Sequence, residues 1–61
     1  MERIMYKAVF ADDEIIVREG IQQKVEWNKN GFELAEVFSN GEQVVQYIQK
    51  HPDVDLVISD I

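Results

Sequence analysis

Acidic side chains follow two apolar runs of this sequence. Asp12 and Asp13 come directly after the run 8–11. Asp60 follows the run 56–59. If both runs are neighbouring strands of one parallel sheet, about 4.8 Å apart, these carboxylates lie at the same edge. Mg²⁺ prefers hard oxygen ligands, so the pattern predicts a Mg²⁺ site made by Asp12, Asp13 and Asp60.

One of these acids could also react covalently. A carboxylate that forms an aspartyl phosphate is a known strategy of phosphoryl transfer. In that chemistry, positioning and charge neutralisation supply most of the catalysis. The pattern alone leaves a simpler alternative open, since Asp12 or Asp13 could cap the helix that follows. On its own, Asp60 could equally be a solvated loop residue.

The elements that must position these acids alternate along the chain. Segments 6–11, 32–38 and 56–59 are short and rich in apolar residues, which is typical of strands. Segments 14–26 and 41–51 carry apolar residues at helical spacing. Such alternation predicts βαβ units and a parallel sheet with right-handed crossovers.

The second strand carries Glu33 and Glu36, which suits an edge position. We therefore predict the strand order 2-1-3, with one helix on each face. This is an α/β fold, a doubly wound parallel sheet. The order reverses at the first strand, whose C-terminal end is then the point where such sheets bind ligands.

Apolar stripes predict which helix faces pack on the sheet. The stripe residues are Ile16, Val17, Ile21 and Val25 in the first helix and Val44, Val45 and Ile48 in the second. Asn40 is predicted to cap the second helix, with Gln43 in the capping-box position. Pro52 ends that helix at or just before His51.

Composition bounds the range of functions. The 61 residues form at most one small domain, and such a chain buries only roughly 60% of its unfolded surface. It has no cysteine, which excludes disulfides and thiolate metal sites. A net charge of -6 argues against direct binding to a nucleic-acid backbone. We see neither a secretion signal nor an apolar stretch of about 20 residues, so we expect a cytoplasmic location without membrane contact.

Five short motifs together resemble the receiver domain of bacterial two-component response regulators. In order, they are FADDE at 10–14, REG at 18–20, NGE at 40–42, PD at 52–53 and LVISDI at 56–61. The match runs from about residue 6 to the last residue. Glu26-Trp27 followed by Gly31-Phe32 also resembles receivers that precede an AraC-type output domain. Trp27 could equally be a packing residue at a helix end.

The resemblance implies a truncated doubly wound parallel sheet, a flavodoxin-like or CheY-like half domain, with residues 1–61 as a partial receiver. Asp60 matches the phosphoacceptor, which takes a phosphoryl group from a sensor histidine kinase. Asp12 and Asp13 match the acidic pair that holds Mg²⁺. The family fold has five strands and five helices, of which this sequence supplies the first three strands and two helices. The Ser or Thr and the Lys that detect the phosphoryl group belong to later strands.

Further expectations follow from this resemblance. The partner is a sensor histidine kinase, and the module is a switch rather than an enzyme. DNA would be contacted only through an output domain outside this sequence. The apolar edge from Leu56 to Ile61 is a template for pairing. We therefore expect the 61-residue chain either to self-associate, through this edge or by an exchanged element, or to be poorly folded, and to be inactive by itself.

Two other functions use the same residues. One is a non-phosphorylated interaction or dimerisation module of the same fold. The other is a phosphotransferase or hydrolase of another α/β family with an aspartyl nucleophile. An acidic pair after the first strand, with Asp60 after the third, favours the receiver.

Overall fold

The computed structural model describes residues 5–60 of the chain. Within that range the elements are β1 (Tyr6–Ala11), α1 (Ile15–Lys24), a 3-10 turn (Asn28–Asn30), β2 (Phe32–Phe38), α2 (Gly41–Lys50) and β3 (Leu56–Ser59). The predicted alternation of strands and helices is confirmed. α1 is shorter than predicted, because Val25 already has an extended backbone with φ -86° and ψ 129°.

The three strands form one parallel sheet with the order β2-β1-β3. This confirms the predicted truncated doubly wound α/β fold. Ala11 of β1 is aligned with Phe38 on one side and with Ser59 on the other. The strands therefore finish at the same level, and the residues that follow them meet at one edge of the sheet.

A β-bulge adjusts the pairing of β1 with β2. Ala8 pairs with Leu34, whereas Val9 pairs with Glu36, which leaves Ala35 as an extra residue. Strict alternation along β2 would place Ala35 and Phe38 on opposite faces. With the bulge, both residues pack against the same buried cluster.

The core lies between the sheet and α2. Val9, Ala11 and Val44 are its buried members. Half-buried apolar residues surround them: Ala35, Phe38, Tyr47, Ile48 and Val54. The predicted stripe of α2 is thus confirmed at Val44, which is 6% exposed, but wrong at Val45, which is 56% exposed.

The start of α2 is fixed by side chains of the preceding loop. Asn40 Oδ1 accepts a hydrogen bond from the Gln43 backbone N–H at 2.9 Å, which confirms the predicted cap. Gln43 Oε1 accepts from the Ser39 backbone N–H at 3.1 Å rather than from that of Asn40. The capping box is therefore displaced by one residue toward the strand.

α1 packs less tightly than its sequence predicts. Ile16 is 79% exposed, and no described residue of α1 is buried. Arg18 and Ile21 are half-buried instead, so the inward face of the helix is centred on them. The predicted stripe is wrong at Ile16, Val17 and Val25, which are all exposed. Arg18, on the inward face, donates a hydrogen bond to the Asp12 carbonyl.

A polar contact sets the start of β3. The Lys7 backbone N–H donates to Asp55 Oδ2, and the Asp55 N–H donates to the Lys7 carbonyl, both at 2.8 Å. The Lys7 ammonium also pairs with Asp53. This hydrogen bond raises the pKa of Lys7 and lowers the pKa of Asp53. Both side chains are exposed, so the ion pair helps to fix register more than it adds stability.

Two neighbouring valines of α2 test the position of the core. Val44→Ala removes buried methyl groups and should lower the free energy of unfolding by about 2 kcal/mol. Val45→Ala makes the same chemical change on the exposed face and should stay within about 0.5 kcal/mol. Urea denaturation of the full-length protein measures both changes. Equal losses would contradict this packing of α2.

Candidate functional site

At the C-terminal ends of the strands, backbone hydrogen bonds place two acidic residues at the same edge of the sheet. The Asp12 N–H donates to the Phe38 carbonyl at 3.1 Å. The Asp60 N–H donates to the Ala11 carbonyl at 3.0 Å. Asp12 and Asp60 therefore continue the ladders on the two sides of β1, at the predicted switch point.

Asp12 is the most firmly held of the acids. Its side chain is buried, with the residue only 3% exposed. Its Oδ1 accepts from the Glu14 backbone N–H at 2.9 Å, and its carbonyl accepts from Arg18 Nη1 at 2.8 Å. Within residues 5–60, no buried side-chain nitrogen or oxygen lacks a hydrogen-bond partner.

Asp13 and Asp60 differ from Asp12 in burial, because both are exposed. The residue that precedes α1 is Glu14, whose side chain makes no capping hydrogen bond. Asp12 accepts from Glu14 in the turn just before the helix. Neither Asp12 nor Asp13 is therefore the capping residue of α1, and the bond to Glu14 occupies one of the two carboxylate oxygens of Asp12.

The three predicted metal ligands are not gathered into a cluster. Among residues 5–60, no three acidic, histidine or cysteine side chains lie together in a way that could hold a metal ion. Mg²⁺ commonly takes only one or two carboxylates and completes its shell with water. The donor chemistry of Asp12, Asp13 and Asp60 therefore suits Mg²⁺, while their joint coordination of the ion stays a prediction.

Arg18 is the residue at this edge that sequence reasoning missed. Helical periodicity assigns it to the solvent face of α1. The structure instead directs its guanidinium back to the Asp12 carbonyl, six residues earlier. The indication in the sequence is its spacing, one turn after Glu14, where a long side chain reaches back over the helix start.

Trp27 lies far along the chain from the acids and has a packing role. Its indole Nε1–H donates to the Ile21 carbonyl at 3.0 Å and so covers the end of α1. An open groove of about 550 Å³ adjoins it. The groove is lined by Gln22, Val25, Trp27, Asn28, Glu33 and Leu34. No residue of the acidic edge lines it.

In the described part of the chain, 5–60, no helix has the length and apolar character needed to cross a membrane.

Comparison with known proteins gives two informative relatives. The chain is 39% identical over 57 residues to the "Transcriptional regulatory protein HptR" of Staphylococcus aureus. It is 37% identical over 57 residues to the "Uncharacterized response regulatory protein SERP2406" of Staphylococcus epidermidis. Each match covers 93% of this chain but 22% of the relative, so the chain spans about a fifth of their length. Neither a family model nor a solved structure matches the chain.

The matches and the β2-β1-β3 sheet together define the class of protein: the chain belongs to the response regulators. Within that family it is a fragment of the receiver domain, as the sequence motifs predicted.

The difference in anchoring between the two adjacent acids can be measured. Asp12→Ala removes the acceptor of a part-buried hydrogen bond and should lower the free energy of unfolding by about 2 kcal/mol. Asp13→Ala removes an exposed carboxylate and should change it by at most about 0.5 kcal/mol. Urea denaturation without divalent cations isolates this difference. Equal effects would show that Asp12 is not anchored in this way.

Proposed function

We propose that this chain is part of a phosphoacceptor module in which Asp60 receives a phosphoryl group with the help of Mg²⁺. The observation that carries this proposal is that Asp12, which directly follows β1, and Asp60, whose N–H donates to the Ala11 carbonyl, have their backbones at the same edge of the sheet. Acids at the switch point of a parallel sheet are placed where such folds bind ligands. The similarity to a response regulatory protein supports the same role.

The chemistry assigns a role to each acid. A carboxylate oxygen of Asp60 attacks the phosphorus of a phosphohistidine on the donor. The P–O bond forms as the P–N bond breaks, and the histidine nitrogen leaves with its electron pair. Asp12 and Asp13 would hold Mg²⁺, which supplies positive charge to the phosphoryl oxygens when bound. Asp60 is exposed and so accessible to a large donor.

The partner in this proposal is a sensor histidine kinase, and the location is the cytoplasm. The module acts as a switch rather than as an enzyme, because the phosphoryl group stays on Asp60 as the signal. One relative is named a transcriptional regulatory protein, so the full-length protein is proposed to regulate transcription through a separate output domain. The resemblance of Glu26-Trp27 and Gly31-Phe32 to receivers that precede an AraC-type domain is the basis for proposing that type. That domain, rather than this acidic chain, would contact DNA.

The alternative is a non-phosphorylated interaction module of the same fold. It is favoured by the lack of a three-ligand metal cluster among residues 5–60. Such a module would use its surfaces for association and leave Asp60 unmodified. The two functions differ in whether Asp60 reacts.

A second part of the proposal concerns the outer edge of β3. Among the described residues, β3 pairs only with β1. Leu56, Val57 and Ile58 are 37–41% exposed along it. An apolar edge with free backbone groups is a template for another strand. We propose that the isolated 61-residue chain self-associates through the edge Leu56 to Ile61, of which Ile61 lies outside the described residues.

Phosphorylation is tested on the full-length protein with Mg²⁺ and acetyl phosphate. Mass spectrometry should show a phosphate adduct that disappears in Asp60→Asn and when EDTA removes the metal. Asp53→Asn, an exposed acid away from this edge, should be labelled like the wild type. A protein that stays unlabelled, or a variant at Asp60 that is still labelled, would favour the interaction module. We expect weak or absent labelling of the 61-residue chain alone.

Self-association is tested by sedimentation of the 61-residue chain. The wild type should form dimers or larger species, while Val57→Lys should reduce them by placing a charge on the strand edge. Val45→Lys makes the same change on exposed α2 and should leave association unaltered. A compact wild-type monomer that unfolds cooperatively would disprove this proposal.

A further inference from the structure

Arg18 has a contact that an ordinary surface arginine lacks. It lies in the first half of α1, and its side chain is half-buried. Its Nη1 donates to the backbone carbonyl of Asp12 at 2.8 Å. Its own backbone N–H donates to the Glu14 carbonyl at 3.1 Å. Arg18 therefore connects the first turn of the helix to the acidic turn at both its backbone and its side chain.

The turn that Arg18 contacts is the one that carries the proposed metal ligands. Asp12 is also tied to β2 through the Phe38 carbonyl and to Glu14 through Oδ1. With the Arg18 contact, its backbone N–H, side chain and carbonyl are all engaged. Such a fixed carboxylate loses little freedom when it binds a cation, which is the advantage of preorganisation.

We propose that Arg18 is a positioning residue that holds the Asp12 turn in the geometry needed for Mg²⁺ binding. This inference rests on the proposed function, since it presumes that Asp12 and Asp13 bind the ion. Arg18 does not touch the ion in this role. It acts through the Asp12 carbonyl, in the way that outer-shell partners orient metal ligands.

The charge of Arg18 makes the proposal easy to distinguish from a simple electrostatic effect. A nearby guanidinium repels a divalent cation. If charge were the only effect, removing the guanidinium of Arg18 would therefore tighten Mg²⁺ binding. Loss of a positioning contact should weaken binding instead. The two effects have opposite signs, and the direction of the change in affinity identifies which one dominates.

The test compares Mg²⁺ binding by calorimetry in the full-length protein and three variants. Arg18→Gln should weaken binding about tenfold, the lower end of the range for lost outer-shell partners. Arg18→Lys keeps the charge and one donor, so it should recover part of that loss. Lys24→Gln removes the same charge from the exposed far end of α1 and should change affinity by less than about twofold.

Amide hydrogen exchange in the absence of metal reports how firmly the Asp12 turn is held, independently of Mg²⁺ binding. In Arg18→Gln, the Glu14 amide should exchange with solvent faster than in the wild type, because its acceptor Asp12 is less firmly held. Unchanged exchange, or Mg²⁺ affinity that is equal or higher in Arg18→Gln, would overturn the role of Arg18 alone. A wild-type protein that does not bind Mg²⁺ would reject the proposed metal site, and with it the role of Arg18.

Discussion

The structure depends on β1 being hydrogen-bonded on both of its edges. Residues 8–11 are buried, and they pair with β2 on one side and with β3 on the other. A buried strand needs partners for all its backbone groups, and these two neighbours supply them. Because both pairings are parallel and finish level with Ala11, they also determine which residues appear at the acidic edge. The fold and the candidate site therefore rest on the same ladder.

Much of this arrangement could be predicted from sequence, because it follows from periodicity and chain topology. The short apolar runs, the helical spacing between them and the acids of β2 led to the correct strand order. Asn40 was recognisable as a cap because a short polar side chain before a helix commonly accepts a hydrogen bond from a free backbone N–H of the first turn. The convergence of Asp12 and Asp60 followed once the strands were placed.

The details that could not be predicted depend on side-chain direction. The bulge at Ala35 changes which face its neighbours occupy, and periodicity does not show it. The inward face of α1 carries Arg18, which is hydrogen-bonded to Asp12, whereas the hydropathy of Ile16 predicted a different rotation of the helix. Likewise, the positions of the strand ends determine where the backbones of Asp12 and Asp60 lie, but not how closely their two carboxylates approach each other.

The two helices pack unevenly on the sheet, and this difference affects which part of the molecule unfolds locally first. α2 buries Val44 in the main cluster, whereas α1 buries none of its described residues. Detaching α1 would expose little additional apolar surface, so its local unfolding should require far less free energy than disruption of the sheet. The Asp12 turn is bonded to the first turn of this helix. Native-state fluctuations of α1 would thus be transmitted first to the acidic edge, well before the sheet and α2 lose their order.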